Sequence, residues 1–142
     1  MGSLERRFSL HVPSATRNLA LIREFVTSVG LQAGLGEDDV SKLELAVDEA
    51  CTNVIEHAPP GDATKDVVVR ATFDDHTLRI EVIDSGPGFD PARLPEADLA
   101  RLTHERRSGG LGFHVMQLLM DEVSYEIVPG QTNRLRMTKK LR

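Results

Sequence analysis

LAVDEACTNVIEH, residues 45–57, carries apolar residues at helical rather than strand spacing. Val47, Ala50 and Val54 recur at intervals of three and four, which lines one face of a helix. Val40 and Leu43 extend that face backwards and Ala58 forwards, so a helix is predicted over about Asp38–His57. Pro59, Pro60 and Gly61 stop it firmly. Glu49 and Asn53 are four apart and lie one above the other, with His57 continuing the row. Asparagine is a poor helix-interior residue because its side chain competes for backbone hydrogen bonds. Asn53, followed by apolar Val54 and Ile55, therefore asks for a role. Its amide oxygen suits Mg²⁺, a hard cation that prefers oxygen donors. Glu49, one turn earlier, would face a reacting phosphate as a base. Taken alone, a Glu-x-x-x-Asn pair is more often a solvated polar stripe.

Upstream, Phe8, Leu10 and Val12 alternate as a strand. Pro13 ends it, and Ser14 is the expected N-cap of a helix running to about Val29. Leu19, Ile22, Phe25, Val26 and Val29 form its apolar face. Gly30 is expected to stop this helix in a left-handed conformation, and residues 34–39 read as a turn. Downstream, Val67–Phe73 and Leu78–Ile83 flank the polar turn Asp74-Asp75-His76, a hairpin signal. Residues 89–108 read as a long loop with one short helix, a length usually tied to function. A third helix is expected over Gly110–Met120, then strands over Val123–Val128 and Arg134–Thr138. This order predicts an α+β fold: a two-layer α/β sandwich with a mixed, mostly antiparallel sheet and helices on one face. The whole chain, residues 1–142, reads as one domain.

Two further segments carry chemistry. Asp84-Ser85-Gly86-Pro87-Gly88 follows a strand directly. A carboxylate there can accept a hydrogen bond from an exocyclic amine such as adenine N6, and the glycines let backbone approach a flat base. A tight Asp/Gly turn is the plainer alternative. Ser108-Gly109-Gly110-Leu111-Gly112 opens a helix, where uncovered N–H groups attract phosphate. It lacks the Gly-Lys-Ser/Thr of a P-loop and follows no strand, so neither a Walker site nor a dinucleotide fingerprint fits. Arg106 and Arg107 precede it and could equally reach outer phosphates from the loop or be surface charge.

Composition narrows the partners. The 142 residues are 40% hydrophobic and 27% charged, with formal net charge −5. That is a globular profile, and the acidic balance argues against direct nucleic-acid binding. Cys51 is the single cysteine and sits in an apolar helical pattern, so it is expected to be a small buried hydrophobe. No run approaches membrane-span length and the N-terminus lacks a secretory pattern. A cytoplasmic location without membrane contact is the expectation.

The order of these motifs resembles the Bergerat-fold (histidine kinase/gyrase/Hsp90-like) ATPases. In detail it is similar to the bacterial anti-sigma-factor serine kinases of the sigma-B and sporulation-sigma-F regulator type. The likeness is carried by residues 45–57, 82–89 and 108–113, by Leu119-Met120-Asp121-Glu122-Val123, and by the ending over residues 134–141. The resemblance implies ATP and Mg²⁺ as ligands, with Glu49 catalytic, Asn53 on the metal and Asp84 on adenine. It implies nucleotide contacts from Gly86 and Gly88, from the Ser108–Gly112 segment, and from Thr132 beside the family's Gly-Thr contact, spaced here Gly130-Gln131-Thr132. It further implies a homodimer that holds a sigma factor and phosphorylates a Ser or Thr of an anti-sigma-factor antagonist. An ATP-gated binding module without kinase activity is the alternative. A two-component histidine kinase would need a phospho-accepting His on an upstream dimerisation helix, whereas His11 sits in a strand pattern. A chaperone or topoisomerase ATPase would need transducer domains beyond this length.

Overall fold

The computed structural model describes residues 4–56, 66–84, 111–128 and 132–141. Strand β1 (Arg6–Pro13) leads through a 3-10 turn (Thr16–Asn18) into helix α1 (Leu19–Gln32), followed by α2 (Glu37–Glu56). The hairpin β2 (Asp66–Phe73) and β3 (Thr77–Asp84) comes next, then α3 (Leu111–Leu119), β4 (Glu122–Val128) and β5 (Thr132–Lys140). The strands make one sheet in the order β1-β2-β3-β5-β4, antiparallel at each of its four junctions.

Period-two alternation decides which side is covered. Leu10, Val69, Val82, Leu135 and Tyr125 stand in one row across the sheet, and Phe8, Ala71, Ile80, Met137 and Val123 in the next. The central members of both rows are buried. They pack with Ile22, Val26 and Val29 of α1, with Leu43, Ala46, Val47, Ala50 and Cys51 of α2, and with Met116 of α3. Each Val, Leu, Ile or Met side chain among them contributes about 2 kcal/mol on burial. Outward positions instead carry Arg70, Arg79, Glu81, Arg134 and Arg136, with Glu81 lying 3.4 Å from Arg134 Nε and 3.5 Å from an Arg136 nitrogen. The helices thus cover one face, as the sequence predicts.

The hairpin turn forms where expected: Asp74 Oδ1 accepts the backbone N–H of His76 at 2.8 Å and of Thr77 at 2.9 Å. Those two bonds hold the Asp74 carboxyl below its ordinary range. The entry to α1 differs from expectation. Ala15, in extended conformation, caps the 3-10 turn, and Asn18 Nδ2 bonds the Pro13 carbonyl at 2.7 Å. Ser14 is no cap.

Gly30 also departs from the reading as a helix stop. It is buried inside α1, and a Cβ added there would come within 3.2 Å of Leu43 Cδ2 on α2. Gly34, at φ 97°, is the left-handed residue. The N–H of Leu35 reaches the Gly30 carbonyl and that of Gly34 reaches Leu31, the paired bonds of a Schellman end. Leu43 is fully buried and has little room to yield. Gly30→Val is expected to lower the unfolding free energy by about 2 kcal/mol in denaturant titration. An unchanged midpoint would show that α1 and α2 are not this closely packed.

Candidate functional site

Lys139 sets the orientation of the helical layer. Its side chain is largely buried and donates to the carbonyl of Leu119, the last residue of α3, at 3.0 Å. It also lies 3.5 Å from Asp39 in the first turn of α2. The C-terminus of α3 and the N-terminus of α2 therefore meet at the end of the sheet where β5 finishes. Both helices run from there to the opposite end. The C-terminal half of α2, with Glu49 and Asn53, and the first turn of α3, with Leu111 and Gly112, thus lie at the end where β3 finishes and β5 begins. Asp84 is the last residue of β3. Four separate segments of the predicted site reach one end of the sandwich.

The two flanks of α2 differ in how they are engaged. At about 100° per residue, Glu44 and Asp48 occupy one flank and Glu49 and Asn53 the other. The first flank meets α1: Thr27 donates its hydroxyl to Glu44, and Arg23 bonds Asp48 at 2.8 Å. The second flank is the side of α2 away from α1, where α3 packs. Glu49 and Asn53 are half-buried there. Among the described residues, no hydrogen bond or ion pair engages either side chain. A half-buried carboxylate and amide without a partner among the described residues are suited to a polar ligand. An amide oxygen of this kind fits a hard divalent cation.

Asp84 lies on the covered face, in the row Val12, Val67, Asp84, Asn133, Ile127. Its Oδ1 accepts a 2.9 Å hydrogen bond from Asn133 Nδ2. The residue beside Asp84 is therefore Asn133 and not Thr132, which alternation places on the opposite face of β5. The signal for Asn133 was available: it is in phase with buried Leu135 and Met137, so a polar side chain falls on a core position. Gly86, Gly88, Arg106, Arg107, Ser108, Gly109 and Gly110, like His57, lie outside the described residues.

Cys51, on the core face of α2, is fully buried as expected. Burial, and then the charge of Asp48, push its thiol from 9.0 up to about 12. The unfolded chain ionises this group first, so its contribution to stability is intact below pH 9 and is lost as pH rises toward 12. Wild type is expected to lose up to about 1.4 kcal/mol per pH unit from this group in alkaline denaturant titrations. Cys51→Ala should flatten that slope, and an equal slope in both proteins would refute the assignment.

Residues 12–139 match the family described as "Histidine kinase-like ATPase domain". The chain belongs to this family. Among curated relatives, a serine-protein kinase RsbW of Bacillus licheniformis is 35% identical, with 91% of this chain and 82% of the relative covered. The serine-protein kinase RsbW of Bacillus subtilis (strain 168) is 33% identical over 93% of this chain and 84% of its own. An anti-sigma F factor of Caldanaerobacter subterraneus subsp. tengcongensis is 33% identical over 89% and 87%. The solved structure of the RsbU and RsbW domains of a Mycobacterium tuberculosis protein aligns with a TM-score of 0.69 at 16% identity. It covers 96% of this chain, which spans 32% of that longer one, and it supports the histidine kinase-like ATPase fold. Among the described residues, no helix is long and apolar enough to cross a membrane.

Proposed function

We propose that this chain is an ATP-dependent protein serine/threonine kinase and anti-sigma factor, working in the cytoplasm as a homodimer. It sequesters a sigma factor and phosphorylates an anti-sigma-factor antagonist on Ser or Thr. The observation that carries the reading is the Glu49–Asn53 flank, without a partner among the described residues, at the same end of the sandwich as Asp84. The names of the relatives supply the class of partner.

Each residue has a defined task. Asp84 accepts a hydrogen bond from the adenine 6-amino group, and Gly86 and Gly88 let backbone lie against the base. The Ser108, Gly109, Gly110, Leu111 and Gly112 segment, which precedes and opens α3 in the sequence, would supply backbone N–H groups to the phosphates. Arg106 and Arg107 add positive charge, and Thr132, whose side chain faces away from Asp84, would contribute a nucleotide contact only through its backbone. Asn53 would hold Mg²⁺, which neutralises phosphate charge when bound. Glu49 orients the antagonist hydroxyl and takes its proton as the oxygen bonds to the γ-phosphorus. The bond from that phosphorus to the β–γ bridging oxygen breaks and ADP leaves. Positioning and charge neutralisation carry most of the rate in such a loose transition state. The new phosphate adds about −1.5 to −2 charges to the antagonist, which disfavours its return to a chain of net charge −5.

Incubation with γ-labelled ATP and candidate antagonists tests the reading. Label on an antagonist Ser or Thr is expected. ATP binding with no Ser or Thr labelled would leave an ATP-gated binding module in place of the kinase.

A further inference from the structure

We infer that Asn133 is a second reader of the purine 6-position, selecting adenine together with Asp84. The inference rests on the adenine-nucleotide reading of this site. Asn133 is 7% exposed, the sole buried polar or charged residue among those described. A carboxylate has no hydrogen to give, so the amide must turn its nitrogen to Asp84, which fixes the assignment of its two polar atoms. Its Oδ1 is then left buried with no hydrogen-bond partner. An orphaned buried acceptor is costly, and native proteins keep few of them.

What would satisfy that oxygen is a donor at the end of β3. The 6-amino group of adenine carries two N–H bonds. One suits the Asp84 carboxylate, which has about four acceptor sites and can serve both Asn133 and a base. The other suits Asn133 Oδ1, directly or through one ordered water. A 6-oxo purine brings an acceptor in place of those donors and would meet two acceptors with none. Asn133 thus has two tasks. Its nitrogen positions the Asp84 carboxylate across the β3–β5 junction, and its oxygen adds a second contact specific for the amine.

Inosine triphosphate is the discriminating probe, because it differs from ATP only at position 6 and in the proton on N1. The measurement is calorimetric affinity for ATP and for inosine triphosphate, with magnesium, on wild type, Asn133→Leu and Asn133→Gln. Wild type is expected to prefer ATP. Asn133→Leu, similar in size but apolar, is expected to shrink that preference by about tenfold or more. Asn133→Gln keeps an amide donor for Asp84 and an acceptor oxygen on an arm one methylene longer and is expected to retain the preference. It also keeps the test decisive if the leucine variant does not fold. An unchanged preference in Asn133→Leu, or its loss in Asn133→Gln, would overturn the role of Asn133 while leaving the nucleotide site standing. A wild type that takes up neither nucleotide would remove the nucleotide reading itself.

Discussion

Glu49→Gln is expected to slow phosphoryl transfer to the antagonist about a thousandfold, the usual scale for losing a positioned general base. The amide keeps the size of the side chain but accepts no proton at neutral pH. Affinity for ATP should stay within about threefold, because the proposed grip on the base lies at Asp84, on a different element. Stability should hardly move, since among the described residues no hydrogen bond or ion pair depends on the Glu49 carboxylate. Single-turnover transfer and equilibrium ATP binding, measured on the same preparation, separate these effects. A parallel fall in both would mean that Glu49 serves binding, and full activity would remove it from the chemistry.

Asp84→Asn is expected to act the other way, weakening ATP by roughly 10- to 100-fold, or about 1–3 kcal/mol. The reason lies in the strand register. Asn133 Nδ2 already donates to one Asp84 oxygen. If a substituted amide keeps its oxygen toward Asn133, it turns its NH₂ toward the base, where it meets the donors of the adenine 6-amino group. A buried donor facing a donor forfeits the contact and leaves both groups unpaired. At saturating ATP, transfer by this variant should recover most of its rate. Equal ATP affinity in the variant and in wild type would place base recognition elsewhere.

Local pattern carried much of this structure. The 3.6-residue period of α2 and the alternation of β2 and β3 around Asp74 are near-neighbour signals that single residues can specify. Gly30 shows the limit. A glycine that ends a helix and one that admits a neighbouring helix look the same in sequence. The difference lies in Leu43, thirteen positions later, which leaves no room for a Cβ. Asn133 makes the same point at longer range. Its hydrogen bond to Asp84 spans 49 residues and exists only because β5 pairs with β3. Likewise, Glu49, Asn53 and Asp84 could be named from their spacing. That they occupy one end of the sandwich follows from Lys139, which ties the far ends of α2 and α3 together.

Amide NMR of the uniformly labelled protein, titrated with a non-hydrolysable ATP analogue and magnesium, decides whether that end of the sandwich is the nucleotide site. Shifts should concentrate at Glu49, Asn53, Asp84, Asn133 and the first turn of α3, and the hairpin turn at Asp74 should stay unmoved. Saturable binding that leaves these residues unperturbed, or no binding at millimolar analogue, would contradict the assignment.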